Sequence, residues 1–319
     1  MSRAPIAAGH HQPEASPWLH RLAVLTAGAT LVLIFAGGVV TNTGSGLAVP
    51  DWPTTFGHNM FLFPWSQMVG GIFIEHSHRL IGSVVGMLTV GLAVWLWVSE
   101  PRRWLQLTGL AAVVAVVIQG VLGGLRVVLL EHGLAIVHGC FAHAFLALIV
   151  ALAVWTGRSW RSVAGDTSAA VRGGRGLALF TTAAVYLQVV LGAMVTHTGA
   201  YLISHLAMAL LVILSARLLA ARVLRVPGVE LRRPAIVLLV LLALQVGLGV
   251  GAFAWRFTAV NEVMAPGLGL AFQTIHRVTG ATILAAAVVL LLRVLRPPAP
   301  RTAPAGAALA GLRGREVPA

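Results

Sequence analysis

Residues 75–82, Glu-His-Ser-His-Arg-Leu-Ile-Gly, place a carboxylate, two imidazoles and a guanidinium at the start of an otherwise apolar segment. Such groups are costly inside a bilayer and require a partner or a chemical role. A related sequence containing His276 and Arg277 opens the last apolar segment of the chain. Two other apolar segments carry His138 and His205 at a similar depth. Four histidines near one level of a membrane bundle predict a bound cofactor.

The histidines of these segments lie one to two helical turns from the start of helices that run in the same direction. Because a helix rises about 1.5 Å per residue, the four imidazoles lie at nearly one depth. Two histidines on facing helices can hold a haem iron from both sides. We predict two haem sites, one on His78 and His138 and one on His205 and His276. A single histidine in a membrane helix is often only a packing residue. Zinc is a weaker alternative, because each half supplies two histidines and no cysteine pair, whereas a catalytic zinc usually takes three protein ligands.

The carboxylate of Glu75 distinguishes the first site. Glu75 precedes His78 by three residues, so both side chains project from one face of a helix. The matching positions before the other three histidines are not acidic and are Ala135, Leu202 and Gln273. The halves therefore share a cofactor-binding frame in which only the first carries an acid, as expected if one half does chemistry and the other stores or relays electrons. The alternative is a structural salt bridge from Glu75 to Arg79.

Two arginines directly follow predicted haem ligands, Arg79 in the first half and Arg277 in the second. A guanidinium pairs well with a carboxylate, so both residues are predicted to bind haem propionates. His143 lies five residues beyond His138 and off its face. We expect His143 to contact lipid or a neighbouring helix.

The composition is that of an integral membrane protein. The 319 residues are 58% hydrophobic and 10% charged, with a mean hydropathy of +0.90. The net charge of +13 could indicate nucleic acid, but the arginines lie between apolar segments and there is no lysine. We therefore predict membrane lipid as a partner and no nucleic acid. The single cysteine, Cys140, excludes an intrachain disulfide and a cysteine-based metal cage.

Eight segments reach the roughly 20 apolar residues that a helix needs to cross a bilayer core. They are 22–41, 71–98, 105–127, 133–155, 177–196, 201–224, 235–254 and 272–295. The predicted fold is an all-α polytopic membrane protein with eight transmembrane helices, arranged as two duplicated four-helix bundles.

Internal sequence similarity supports the duplication. Residues 37–44 at the end of the first span resemble 192–199 at the end of the fifth. The Gln-x-x-x-Gly pattern of 119–123 recurs at 188–192 and 245–249. A duplicated bundle is the economical interpretation. Small residues on these helices would allow close approach or leave room for a flat ligand.

The predicted organisation follows from the spans and the arginines. It comprises a cytoplasmic tail at 1–21, an N-terminal bundle at 22–156 with an outer loop at 42–70, a cytoplasmic linker at 157–176, a C-terminal bundle at 177–295 and a disordered cytoplasmic tail at 296–319.

Of the 22 arginines, 18 lie on one side, which predicts cytoplasmic termini and haem sites near the outer face of the plasma membrane. Residues 1–19 lack the features of a signal peptide. The outer loop is rich in aromatic residues and is expected to form an ordered cap.

In combination, these motifs resemble the haem A synthase family. The segments that carry the resemblance are Thr43-Gly44-Ser45-Gly46-Leu47, Pro50-Asp51-Trp52-Pro53, Glu75-x-x-His78-Arg79, His138-Gly139-Cys140-Phe141-Ala142, His205-Leu206-x-x-Ala209 and His276-Arg277. The resemblance covers residues 22–295. Members of this family are eight-helix bundles that oxidise the C8 methyl of haem O to a formyl group, giving haem A for cytochrome oxidase.

The resemblance implies a division of labour between the halves. A substrate haem would lie in the first half, where Glu75, His78 and His138 are assigned the catalytic roles. A haem b would lie in the second half on His205 and His276. Haem O synthase is the expected protein partner, while the electron donor and a homo-oligomer are left open.

One departure and three alternatives remain. Some family members carry a cysteine pair in the first outer loop, and the aligned residues here are Val49 and Thr55. A bis-histidine b-type cytochrome for quinol-linked electron transfer would explain the histidines but not Glu75. A prenyltransferase is disfavoured, since the only aspartates are Asp51 and Asp166. A transporter is the alternative without haem.

Overall fold

The computed structural model describes residues 17–162, 168–225 and 229–296, and within these residues it is all-helical. The helices are α1 (Pro17–Asn42), α2 (Gly70–Ser99), α3 (Arg103–Leu129), α4 (His132–Thr156), α5 (Arg158–Ser162), α6 (Ala169–Thr198), α7 (Leu202–Val223), α8 (Val229–Phe257) and α9 (Pro266–Leu295). All except the short α5 are long and apolar enough to cross a membrane. The predicted eight transmembrane helices are confirmed.

All of the spanning helices except α7 are longer than the apolar spans that identified them. Helix α1 begins at Pro17 and α6 at Ala169, within segments that the sequence assigned to a tail and a linker. Hydropathy marks only the part of a helix that lies in hydrocarbon, whereas backbone hydrogen bonding continues beyond it. Residues 1–16 and 297–319 of the predicted tails, and residues 163–167 of the predicted linker, lie outside the described residues.

Each half of the chain packs as a ring of four helices. In the first half α1 contacts α2 and α4, and α3 contacts α2 and α4. In the second half α6 contacts α7 and α9, and α8 contacts α7 and α9. The halves meet where α1 and α4 pack against α9 and α4 packs against α6. This arrangement is consistent with the predicted pair of four-helix bundles.

The connections between antiparallel helices bring all four predicted ligand histidines to one end of the molecule. Residues 43–69, 130–131, 199–201 and 258–265 form these connections, and we call the end that they share the histidine face. The turn at 199–201 is tight because Gly199 has a φ of 71° and ends α6 in the left-handed conformation. This short turn brings His205 of α7 close to the end of α6.

The packed core lies on the other side of the histidine layer. Two clusters of buried apolar side chains fill the rest of the bundle, and their largest fully buried members are Leu92, Leu96, Leu105, Leu146, Ile149, Leu152, Leu219, Leu238, Leu284 and Leu290. Close packing of this kind is the main source of helix association in lipid. It holds the helices rigidly and leaves the layer around the histidines to polar and small residues.

Candidate functional site

Each predicted ligand histidine packs against a glycine of the preceding spanning helix. A Cβ atom built on the glycine would lie 3.0–3.2 Å from the histidine Cε1 in every case. The four pairs are Gly37 with His78, Gly123 with His138, Gly192 with His205, and Gly249 with His276. Any larger residue would push the imidazole aside, so these glycines determine where the rings lie. The same contact occurs four times and gives the two halves one design.

In three of the four glycine–histidine pairs, a glutamine one turn before the glycine contacts the imidazole. The Nε2 atoms of the glutamine and histidine are 3.2, 3.2 and 3.3 Å apart in Gln119–His138, Gln188–His205 and Gln245–His276. At the matching position before Gly37 stands Leu33. The Gln-x-x-x-Gly repeat in the sequence therefore positions the imidazoles of His138, His205 and His276, whereas His78 has no glutamine at the matching position.

The histidine pairs fit a haem iron. The Nδ1 atom of each is buried without a hydrogen-bond partner, in His78, His138, His205 and His276 alike. A buried polar atom that lacks a partner calls for an explanation, and a missing ligand is one. The ring centroids of His205 and His276 are 6.4 Å apart. A metal–imidazole bond is about 2 Å long, so two imidazoles on opposite faces of one iron place their centroids about 6 Å apart.

The first-half site gathers the residues to which the sequence assigned catalytic roles. His78 interacts electrostatically with His138, and both interact with the guanidinium of Arg126. Arg126 also interacts with Glu75. The structure thus brings Glu75, His78 and His138 around one arginine, whose position in the sequence showed no link to this site.

Glu75 is buried, with 4% of its surface exposed, and both of its carboxylate oxygens are bonded. Oε1 accepts a hydrogen bond of 2.8 Å from Nη2 of Arg79, and Oε2 accepts one of 3.0 Å from the backbone N–H of Val49. The salt bridge that the sequence left as an alternative is therefore present.

The Arg79 guanidinium is committed to the loop between α1 and α2. Nη1 donates to the carbonyl oxygens of Asp51 at 2.7 Å and Thr54 at 3.1 Å. Nη2 donates to the carbonyl oxygen of Val49 at 3.0 Å and to Glu75. Arginine has five N–H donors, so only the Nε–H remains for another acceptor. The propionate-binding role of Arg79 stays a prediction, and its observed role is to hold the loop on α2.

The loop at 43–69 covers the first half. The indole of Trp52 lies on the backbone of Gly124 in α3, in space that a side chain at Gly124 would need. Thr55 Oγ1 lies 3.1 Å from Nδ1 of the buried His76, and the Phe63 ring lies 5.2 Å from the His76 ring. Trp52 and Phe63 thus pack this loop, which we call the cap, onto α3 and α2.

Asp51 stabilises the turn that follows Trp52. Its carboxylate accepts hydrogen bonds from the backbone N–H groups of Phe56 at 2.7 Å and Gly57 at 2.9 Å, and from the Thr54 hydroxyl. Both Phe56 and Gly57 have positive φ, 48° and 76°. A left-handed conformation costs a residue with a side chain roughly 1–2 kcal/mol. The carboxylate offsets this cost by binding the two amides.

Replacing Asp51 with alanine is expected to loosen the cap without unfolding the bundle. Loss of hydrogen bonds to a charged acceptor should raise the rate of proteolysis within 43–69 by about tenfold. Thr54→Val is the matched control, because it removes one of the three donors and should have a smaller effect. Cleavage rates of the purified protein measure both, and equal rates for wild type and Asp51→Ala would contradict this role.

The cap should resist mild acid. Partial burial raises the pKa of Asp51, but hydrogen bonds from Gly57, Thr54 and Phe56 outweigh it and hold the pKa below 3.8. A carboxyl whose pKa is lowered by folding contributes stability above its unfolded pKa and loses it as the pH falls through the folded value. Cleavage within 43–69 is therefore expected to stay constant from pH 7 to about pH 5.

Arg277 is the arginine beside the second-half histidine site. Its side chain lies against Gly38 of α1, and it interacts electrostatically with His276 and with His143 of α4. His143 is buried, and its Nδ1 lies 2.8 Å from the Gly139 carbonyl oxygen. Of the two environments expected for His143, the neighbouring helix is the one observed. Arg277 therefore lies where the two halves meet.

Comparisons with known proteins identify the family to which the chain is similar. A family model, COX15-CtaA, described as cytochrome oxidase assembly protein, matches residues 20–206. Heme A synthase of Shouchella clausii is 34% identical over 192 residues, which cover 58% of this chain and 61% of that protein. Heme A synthase of Alkalihalophilus pseudofirmus is 32% identical over 185 residues, covering 56% and 60%. The chain thus spans about three fifths of the length of these curated relatives, and His276 and Arg277 lie beyond the residues that the family model matches.

Proposed function

Because this chain belongs to the COX15-CtaA family of cytochrome oxidase assembly proteins, we propose that it is a haem A synthase. It would oxidise the C8 methyl of haem O to a formyl group and release haem A for cytochrome oxidase. Relatives named Heme A synthase support this activity. The observation that carries the proposal is the pair of histidine sites on one face, of which, among the residues that the structure describes, only the first has a buried carboxylate beside it.

In the first half, His78 and His138 would hold the iron of the substrate haem. The reaction would be two successive hydroxylations of one methyl carbon, each a two-electron oxidation by an external oxidant that also accounts for the oxygen atom, after which the geminal diol loses water to leave the formyl group. Glu75 would accept a proton or stabilise positive charge that develops at the reacting carbon. Its fixed position, bonded to Val49 and Arg79, supports a preorganised carboxylate.

In the second half, His205 and His276 would hold a haem b, which supplies one-electron transfer when bound. The 6.4 Å separation of the two imidazole rings supports this assignment. Gln188 and Gln245 orient the two rings from α6 and α8. Arg277 would bind a propionate of this haem, which its place beside His276 supports.

The test is the haem content of the full-length protein purified from cells that do or do not make haem O. Extraction followed by mass analysis should find haem B in both cases and haem A only when haem O is supplied. Haem B alone, with haem O plentiful, would refute the proposed activity and support a b-type electron-transfer cytochrome.

The protein is a multi-pass membrane protein, with eight apolar helices in the part of the chain that the structure describes. We further propose that both termini are cytoplasmic and that the histidine face lies at the outer surface of the plasma membrane. The arginine distribution supports this orientation, since cytoplasmic loops are enriched in basic residues. Haem O synthase is the proposed partner, because direct transfer would keep an apolar substrate within the bilayer.

Single-cysteine labelling tests the orientation. In a Cys140→Ser background, a membrane-impermeant maleimide should label Ala200→Cys in intact cells but Ser99→Cys only after lysis. Both positions are exposed, Ala200 at the histidine face and Ser99 at the opposite end. The reverse pattern would place the haem sites on the cytoplasmic side.

A further inference from the structure

The first half contains two arginines near the predicted substrate site, and they differ in how many of their N–H donors the protein already uses. The four Nη–H groups of Arg79 are directed at the carbonyl oxygens of Val49, Asp51 and Thr54 and at Glu75. A carboxylate of a bound haem would have to displace these bonds to pair with Arg79. The loop would then lose the contacts that hold it on α2.

Arg126 is placed differently. It lies in the last turn of α3, three residues after Gly123, the glycine that packs against His138. Residues three apart share one face of a helix, so Arg126 follows Gly123 by about 4.5 Å toward the histidine face. Its guanidinium lies directly on the backbone of Gly46 in the cap, in space that a side chain at Gly46 would need. Helix α3 and the contact with the cap therefore fix the Arg126 guanidinium at the edge of the first-half histidine site.

No protein acceptor satisfies the Arg126 guanidinium among the described residues. Glu75 is close enough to interact with it electrostatically, but both Glu75 oxygens already accept hydrogen bonds from Val49 and Arg79. Arg126 is only half-exposed, and it has five N–H donors without a carboxylate or carbonyl partner. A partly buried charge in this state is costly unless it is paired, and an anionic ligand would pair it.

We propose that Arg126, and not Arg79, binds the propionate carboxylates of the haem in the first half. The inference rests on the proposed function to the extent that a haem occupies this half. Guanidinium groups form bidentate, charge-assisted hydrogen bonds with carboxylates, which matches the donors that Arg126 has free. Arg277 has the same property in the second half, where no hydrogen bond from its guanidinium to a described residue is formed.

The arginine that binds the propionates would then lie on a different helix in each half. Arg126 comes from α3, and the residue at the matching place in α8, three beyond Gly249, is Ala252. Arg277 comes from α9, directly after His276, whereas the residue after His138 is Gly139. The glycine–histidine contacts thus recur in both halves, whereas Arg126 and Arg277 do not occupy equivalent positions.

The rate of haem loss tests the proposal. Full-length protein made under haem limitation is loaded with haem B or with its uncharged dimethyl ester, and transfer to excess apomyoglobin is followed. His138→Ala identifies the phase that belongs to the first half. Arg126→Gln should speed loss of haem B from this half by about tenfold, because a charge-assisted pair is lost. Loss of the dimethyl ester should be unchanged, since it has no carboxylate to bind.

Arg79→Gln is the matched control. It should speed the loss of haem B and of the dimethyl ester from the first half equally if Arg79 acts only through the cap. Equal acceleration of both haems by Arg126→Gln, or no acceleration of either, would overturn the proposal, as would selective loss of haem B in Arg79→Gln. The second-half phase reports folding in every variant. If Arg126→Gln disturbs that phase too, Arg126→Lys decides, because it keeps the charge and should retain most of the preference for haem B.

Failure of this inference is separable from failure of the proposed function. A protein that holds haem in both halves but makes no formyl haem would refute the synthase activity. The ratio of haem B to dimethyl-ester loss rates would still decide whether Arg126 binds the propionates.

Discussion

Glutamine in place of Glu75 is expected to lower the yield of formyl haem by about 100-fold or more while haem stays bound in both halves. Glutamine has nearly the shape of glutamate, and its carbonyl oxygen can still accept from the Val49 N–H, so the site should keep its form. It cannot take up a proton or stabilise a positive charge. Formyl haem per mole of protein, from extraction and mass analysis, measures the effect beside a haemochrome spectrum of total haem.

The salt bridge in which Glu75 takes part makes a control essential. Removing one member of a buried ion pair can cost about 3–5 kcal/mol, so a defect in Glu75→Gln could arise from the cap alone. Arg79→Gln breaks the same ion pair but leaves the carboxylate in place. If Glu75 acts chemically, Arg79→Gln should keep far more activity than Glu75→Gln. Equal losses in the two variants would assign Glu75 a structural role only.

Valine in place of Gly249 is expected to remove the haem of the second half. A Cβ atom at Gly249 would already lie 3.0 Å from Cε1 of His276, and the two further methyl groups of valine would force the imidazole out of place. Disturbing the groups that orient a metal ligand typically costs about 10–100-fold in affinity. The purified variant should therefore carry haem in the first half alone, and conversion of haem O should fall with the loss of electron transfer.

Helix α8 provides the matched control for this change in Gly247. No atom lies within 4 Å of a Cβ built on Gly247, although it is two residues from Gly249 in the same helix. Gly247→Val changes helix propensity and apolar surface in the same way and should leave both haems bound. Haem-to-protein ratios decide the outcome. Full haem occupancy in Gly249→Val, or an equal loss in Gly247→Val, would show that the glycine contact does not position His276.

The fold and the depth of the histidine layer could be predicted because they depend on local properties of the chain. Hydropathy along the sequence identifies the spans, since each helix must satisfy its own backbone hydrogen bonds in lipid. The rise of an α-helix then converts the positions of His78, His138, His205 and His276 into one depth. The repeated Gln-x-x-x-Gly pattern predicted the duplication, but it did not predict that these residues pack against the histidines.

Contacts between distant segments could not be predicted in this way. The sequence placed Arg79 beside a haem ligand, but the fold of the 43–69 loop decides that its guanidinium meets three carbonyl oxygens instead. The sequence placed Arg126 only at the end of a helix. The packing of α3 against the cap brings Arg126 next to Gly46 and into the electrostatic field of Glu75.

The sequence by itself thus determined the number of helices, the level of the four histidines and the single carboxylate that distinguishes the halves. The tertiary structure alone decided which glycine supports each imidazole, that His143 faces a neighbouring helix, and which arginine in the first half keeps its donors free. The physical reason is that span and depth follow from composition and helical rise. Partners across the bundle depend on how each helix is rotated about its axis and on where a long loop lies, and the packing of the whole chain determines both.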